Sequence, residues 1–155
     1  MSIDEEIQQS TWTSSMQKAV VNTLFTSRYL EDLSNQRLKP YDLTTQQFNI
    51  LRILRGQKGK PATVKLLIER MLDKSSNASR LVDKLLEKGL VQREVCADDR
   101  RAVEVRITPK AKDLLTAIDQ ENLAWETRTR AFTSRDALEL SRLLDKLRDA
   151  IRSGS

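Results

Sequence analysis

The sequence predicts a mainly α-helical chain with one small β-hairpin, and three observations support this fold class. Only four Gly and three Pro occur in 155 residues, so few residues that break helices interrupt the chain. Apolar residues recur every three or four positions in six segments, which is the spacing of one face of a helix. In the segment before and after residue 100 they alternate instead, which is the spacing of strands.

The first half of the chain predicts three helices. An apolar face over residues 16–30 indicates a long helix that ends before the next proline. Thr44 and Gln47 have the spacing of a capping box and predict the start of a second helix, which Gly56 ends. A short third helix is predicted to begin after Thr63.

A fourth helix and a hairpin follow. Ser75 or Ser76 is expected to cap the helix at its N-terminus, and Gly89 suits the left-handed conformation after its last turn. The alternating segments 91–95 and 103–107 predict the two strands of a hairpin with a polar, charged tip. The buried stripe of the helix is expected to comprise Leu81, Val82, Leu85 and Leu86.

Two closing helices complete the prediction. Pro109 suits the first turn of a long fifth helix that reaches Trp125. Thr133 and Asp136 have the spacing of a cap for the sixth. The apolar positions of this last helix are Leu140, Leu143, Leu144, Leu147 and Ile151.

The net charge of +5 is concentrated in the middle third of the chain. Residues 60–112 carry a net charge of +5, whereas residues 1–59 carry +1 and residues 113–155 carry −1. A basic segment between near-neutral ones indicates a polyanionic partner. The alternative is a solvated basic face without a partner.

Several classes of function are excluded or not expected. The absence of His and the single Cys exclude His-based catalysis and structural zinc. No Gly-rich phosphate loop or nucleophile elbow occurs, so we expect neither an enzyme nor a cofactor or metal. The chain has no apolar run of about 20 residues and begins with an acidic segment. A soluble cytoplasmic protein is therefore expected.

Two short helices followed by a hairpin with a basic tip are the elements of a winged helix-turn-helix. In that arrangement the second helix presents its polar N-terminal half to the major groove of DNA, and the hairpin contacts the minor groove or phosphates. The alternative is that its polar residues are ordinary cap and solvent-face residues. The candidate DNA-binding residues are Lys74, Ser75, Ser76, Asn77, Arg80, Lys84, Asp99, Arg100 and Arg101.

Three segments of the sequence resemble the MarR family of bacterial and archaeal transcription regulators. These are residues 43–48, residues 78–91 and the hairpin segment 98–108, which contains the run Asp-Asp-Arg-Arg. The order of helices and hairpin also agrees with that family over about residues 12–152.

The resemblance implies a homodimeric transcription regulator, most commonly a repressor, that binds a pseudo-palindromic operator. It implies an N-terminal dimerisation helix in residues 1–42, a DNA-binding region in residues 43–109 and C-terminal dimerisation helices in residues 110–155. Arg80 matches the recognition-helix arginine of the family, and Asp99 and Arg101 match its wing motif, in which the Asp orients the loop and the Arg reaches the minor groove.

Many members of the family release DNA when a small lipophilic or phenolic molecule binds, or when a cysteine is oxidised. The aromatic candidates for an effector site are Trp12, Tyr29, Phe48 and Trp125, although aromatic residues at helical spacing are more often part of the core. Cys96 lies at the end of a strand and is interpreted as a structural residue and not as a redox sensor. The alternative function is a winged-helix module that binds DNA without sequence preference, or binds a protein.

Overall fold

The computed structural model describes residues 1–95, 103–121, 127 and 129–154. The chain divides into two compact units, Met1–Lys112 and Asp113–Ser155. In chain order its elements are α1 (Ile3–Glu6), α2 (Ser15–Leu38), a 3-10 turn (Lys39–Tyr41), α3 (Thr45–Gly56), β1 (Ala62–Thr63), α4 (Val64–Arg70), α5 (Ala78–Glu87), β2 (Val91–Val95), β3 (Val103–Ile107), α6 (Pro109–Gln120) and α7 (Ser134–Ser153). The mainly helical fold class is confirmed.

The predicted helix caps at Thr44 and Thr133 and the predicted start of α4 after Thr63 are confirmed. The hydroxyl groups of Thr44, Thr63 and Thr133 each accept a hydrogen bond from the backbone N–H three residues later, at 3.2 Å. Such bonds satisfy N–H groups that have no partner within the helix, and each stabilises a helix by about 1 kcal/mol.

The predicted cap of α5 is wrong. Asn77, and neither serine, caps this helix, because its side-chain oxygen accepts a hydrogen bond from the Arg80 N–H at 3.1 Å. The hydroxyl groups of Ser75 and Ser76 instead donate to the carboxylate of Asp73. Gly89 has a φ of +67°, as expected of the left-handed position that ends this helix.

The hairpin is part of a three-stranded antiparallel sheet in the order β1-β3-β2. Val91 pairs with Ile107, and Val95 with Val103, which confirms the predicted hairpin. The pairing of Ala62 with Val105 adds a third strand that the sequence did not predict. With only two residues, β1 is too short to show the alternation by which strands are recognised.

The core of the first unit lies between α3, α4, α5 and the sheet. Helix α3 contacts α5 and β3, and α4 contacts α5. Leu86 was expected in the buried stripe of α5 but is 40% exposed. Leu86 directly follows Leu85 and lies about one turn after Val82, so it is at the margin of the buried face. Fully buried side chains include Ile50, Leu51, Leu54, Leu67, Val82, Leu85 and Val105.

Helix α2 and helix α7 each expose apolar side chains. On α2 the exposed fraction is 58% for Met16 and 63% for Leu24. Helix α7 has no buried residue, and Leu140 and Leu143 are nearly half exposed. Among the described residues, no helix is long and apolar enough to cross a bilayer.

Candidate nucleic-acid interface

Helix α5 presents a polar face opposite its buried one. Ala78, Val82 and Leu85 anchor it to the core, so residues half a turn away lie toward solvent. Arg80 and Lys84 are both on that exposed face, one turn apart. The helix therefore displays basic side chains along its exposed face, in the turns that follow its capped N-terminus.

Arg80 and Lys84 differ in their partners. Lys84 forms an ion pair with Glu87 at 2.8 Å, so part of its charge is already compensated. Arg80 is exposed and has no ion-pair partner within the part of the chain that the structure describes. Its guanidinium group presents five N–H donors in a planar fork, which matches a guanine edge or a phosphate.

The turn before α5 is organised by Lys74 and Asp73. The Lys74 ammonium group donates to the backbone carbonyls of Ile68 and Glu69, at the end of α4. This contact satisfies carbonyls that the helix leaves without partners. The predicted DNA contact of Lys74 therefore competes with a structural one.

Asp73 accepts hydrogen bonds from both serines of the turn. Its carboxylate oxygen Oδ1 receives the hydroxyl of Ser75 at 2.6 Å, and Oδ2 receives the hydroxyl of Ser76 at 2.8 Å. These bonds, with that of Ser75 as the largest cause, lower the pKa of the Asp73 carboxyl. The carboxyl is therefore ionised at neutral pH. Sequence analysis did not select Asp73, although an Asp directly before small polar residues is typical of such turns.

An ion pair connects α5 to the sheet. The Arg93 guanidinium on β2 contacts the carboxylate of Asp83, and both side chains are about half exposed. On the same sheet, Arg106 of β3 pairs with Glu94 of β2 at 3.1 Å. The first pair links the hairpin to α5 and the second links its two strands, although exposed pairs of this kind contribute little to stability.

The predicted tip of the hairpin lies outside the described residues. This applies to Asp99, Arg100 and Arg101, and also to Cys96. The structure therefore describes the base of the hairpin and the helix beside it.

Of the four aromatic residues proposed for an effector site, Trp12, Tyr29 and Phe48 lie in the described part of the chain, and each has a different environment. The Trp12 indole donates to Asp4 beside α1, and Tyr29 is 57% exposed on α2. Phe48 is buried, and the guanidinium groups of Arg37 and Arg52 each lie 5.8 Å from the centre of its ring. Trp125 lies outside the described residues.

An open groove of about 440 Å³ lies near the end of α2 and the start of α3. Its exposed lining is mainly apolar in area, although most of the residues are polar, and none of the four aromatic candidates contributes to it. Two of its lining residues, Lys88 and Asp42, form an ion pair at 3.1 Å. The lining residues are Asn35, Gln36, Lys39, Asp42, Leu43, Thr44, Gln47 and Lys88.

Two helices joined by a short turn define a winged helix-turn-helix protein when the second is capped, is basic on its exposed face and is followed by a β-hairpin. The family model described as MarR family matches residues 41–102. Residues 41–102 are therefore similar to the MarR family, and the chain has a winged helix-turn-helix fold.

Solved structures of regulators have the same fold. The organohalide-sensing regulator RdhR-CbdbA1625, in a form with bound 2,4-dichlorophenol, is 24% identical, with a TM-score of 0.76 over 89% of this chain and 82% of its own. AbsC of Streptomyces coelicolor is 22% identical, with a TM-score of 0.74 over 93% of this chain and 99% of its own. Apo MarR of E. coli is 25% identical, with a TM-score of 0.63 over 81% and 93%.

Proposed function

We propose that this chain is a cytoplasmic, homodimeric transcription repressor that binds a pseudo-palindromic operator and has no enzymatic activity. The observation that carries the proposal is the exposed face of α5, on which Arg80 is not engaged in an ion pair among the described residues. A helix of this kind fits the major groove, where a guanidinium group discriminates guanine. Helix α5 is called the recognition helix below.

The roles of the recognition-helix residues follow from their surroundings. Arg80 reads a base edge, and Asn77 has its side-chain oxygen engaged in the cap and its amide nitrogen left to donate. Lys84 contacts a phosphate when DNA binds, and it loses its ion pair with Glu87 in doing so. Lys74 supports the turn and adds to the positive charge near the backbone.

The exposed apolar faces support the homodimer. On α7 the apolar positions Leu140 and Leu143 follow helical spacing and remain nearly half exposed. On α2, Met16, Leu24 and Tyr29 are more than half exposed. Apolar side chains repeated along one helix are typical of interaction sites, and a second copy of the chain supplies a surface of matching chemistry.

Selection from a random duplex pool at near-physiological salt tests the proposed function. We expect the purified protein to retain an inverted repeat whose half-sites lie about one helical turn apart, roughly 34 Å, because two recognition helices of a dimer read them. Sequencing of the retained duplexes is the measurement. Retention without an enriched motif, with affinity that falls steeply with salt, would support a non-specific DNA-binding module instead. No retention of DNA would support a protein-binding module.

The wing arginines are expected to act differently, as their match to the family motif implies. Arg101→Ala should weaken operator binding more than Arg100→Ala, because Arg101 reaches the minor groove while Arg100 contacts phosphate. Arg100→Ala should lower the slope of affinity against salt by about 1. Fluorescence anisotropy with one operator duplex at several salt concentrations measures both effects. Equal effects of the two substitutions would mean that both arginines act as phosphate charges.

A small phenolic or lipophilic effector is proposed to release the DNA. Support comes from the fold shared with the regulator that binds 2,4-dichlorophenol. With 2,4-dichlorophenol as the probe, we expect the anisotropy of a bound operator to fall as the probe is added. Benzoate at the same concentration tests whether a carboxylate can replace the phenol. An anisotropy that stays constant with both compounds would contradict release by this class of molecule.

A further inference from the structure

The two serines before the recognition helix have no hydrogen-bond donor left for a ligand. Ser75 donates both its N–H, at 2.9 Å, and its hydroxyl, at 2.6 Å, to the Asp73 carboxylate. Ser76 donates its hydroxyl to the same carboxylate at 2.8 Å, and its N–H approaches the Asp73 carbonyl at 3.5 Å. All four donors of the two residues are thus directed at Asp73.

The direction of these bonds follows from the charge of Asp73. An ionised carboxylate only accepts hydrogen bonds, so each serine hydroxyl is the donor. A hydroxyl has one proton and two lone pairs. Toward any further partner, Ser75 and Ser76 can therefore act only as acceptors.

An acceptor at this position cannot bind a phosphate, because phosphate oxygens are themselves acceptors. The donors that base pairs present in the major groove are the exocyclic amino groups, N6 of adenine and N4 of cytosine. Residues at the start of a recognition helix are the ones that contact base edges. Ser75 is exposed, and Ser76 is partly exposed.

We propose that Ser75 and Ser76 accept a hydrogen bond from an exocyclic amino group of adenine or cytosine in the operator, and that Asp73 is the positioning residue that fixes them as acceptors. The inference rests on the proposed function and specifies the chemistry of the same interface. It assigns these serines to sequence readout, whereas serines in such turns commonly bind phosphate.

The first experiment compares Ser75→Ala and Ser76→Ala with the unchanged protein on the selected operator and on single-base variants. We expect at least one substitution to reduce the preference for one base pair about threefold to tenfold, as one neutral hydrogen bond does. The slope of affinity against salt should stay unchanged, because no phosphate contact is lost. Ser141→Ala on α7 is the matched control and should leave both quantities unchanged.

Base analogues identify the donor. In one set of duplexes purine replaces adenine and so lacks the N6 amino group, and in the other pyrimidin-2-one replaces cytosine and lacks N4. The unchanged protein should lose about threefold to tenfold in affinity at one position in one set. The alanine variant that removes the contact should lose nothing further from that replacement. The set that shows this coupling names the base.

Asp73→Asn distinguishes a positioning role of Asp73 from a merely structural one, because only a positioning role predicts a change in base preference. The amide of Asn donates to one serine, which releases that hydroxyl proton for an outside acceptor. We expect the preferred base at the contacted position to change from adenine or cytosine to guanine or thymine, whose O6 and O4 atoms are acceptors. A loss of affinity equal on all sequences would show a structural role only and would overturn the assignment of Asp73.

The outcomes separate this inference from the proposed function. If the unchanged protein selects an operator, but the serine substitutions lower affinity uniformly and reduce the salt slope, the serines bind phosphate and only this inference fails. Retained base preference in both serine variants overturns it as well. If the unchanged protein selects no motif, the proposed function fails and the inference fails with it.

Discussion

Arg80→Ala is expected to weaken binding to the selected operator by about 1–3 kcal/mol and to relax specificity at one base position. The reason is the exposed guanidinium group on the recognition helix, which has no ion-pair partner among the described residues to compete with DNA. Its planar fork fits the O6 and N7 atoms of guanine. Anisotropy titrations against the operator and its single-base variants measure both effects.

Two matched substitutions test the assignment of Arg80. Arg80→Lys retains the charge and loses the fork, so the dependence on salt should persist while discrimination at that position falls. Lys84→Ala removes a basic residue one turn later that is already paired with Glu87, and should weaken all sequences equally. If Arg80→Lys discriminates as well as the unchanged protein, Arg80 acts as a phosphate charge and not as a base reader.

Leu143→Glu is expected to convert the dimer into a monomer and to lower operator affinity by about 100-fold or more. Leu143 is 47% exposed on α7, beside Leu140 on the same face. A carboxylate placed in an apolar interface loses its hydration without a compensating partner. A monomer engages one half-site, so it loses the effective concentration that links the two. Sedimentation velocity at micromolar concentration measures the mass, and anisotropy measures the affinity.

Leu138→Glu is the matched control for this prediction. It makes the same substitution on the same helix, at a leucine that is 73% exposed and lies about 140° around the helix from Leu143. We expect it to leave the dimer and its DNA binding unchanged. A dimeric Leu143→Glu variant, or an unchanged protein that sediments as a monomer, would contradict the proposed assembly.

Much of the fold could be predicted because its signals are local. Capping at Thr44, Thr63 and Thr133 depends on a hydroxyl and an N–H three residues apart, and such pairs can be recognised in the sequence. The two hairpin strands follow from the alternation in β2 and β3, and their register is given by the structure. Strand β1 could not be predicted, because two residues are too few to show an alternation. Its pairing is also distant in sequence, since Ala62 pairs with Val105, 43 positions later in the chain.

The candidate site was predicted in its residue types but not in its contacts. Arg80 and Lys84 follow from the helical spacing of α5, yet only the structure shows that Lys84 is paired with Glu87. Lys74 was selected for its charge, whereas the structure directs its ammonium group to the end of α4. A side chain's partner depends on which backbone groups lie within a few ångströms, and sequence spacing does not determine that.

The sequence by itself determined the helical class, the starts of α3, α4 and α7, the hairpin and the basic middle segment, because each depends on neighbours along the chain. Only the tertiary structure decided which donors remain available at the interface. Asn77 caps α5, and the hydroxyl groups of the two serines before it donate hydrogen bonds to Asp73. Both arrangements satisfy the same local preferences of small polar residues. The choice between them depends on how the turn is held between α4 and α5, where Leu67 and Ala78 are buried in the core.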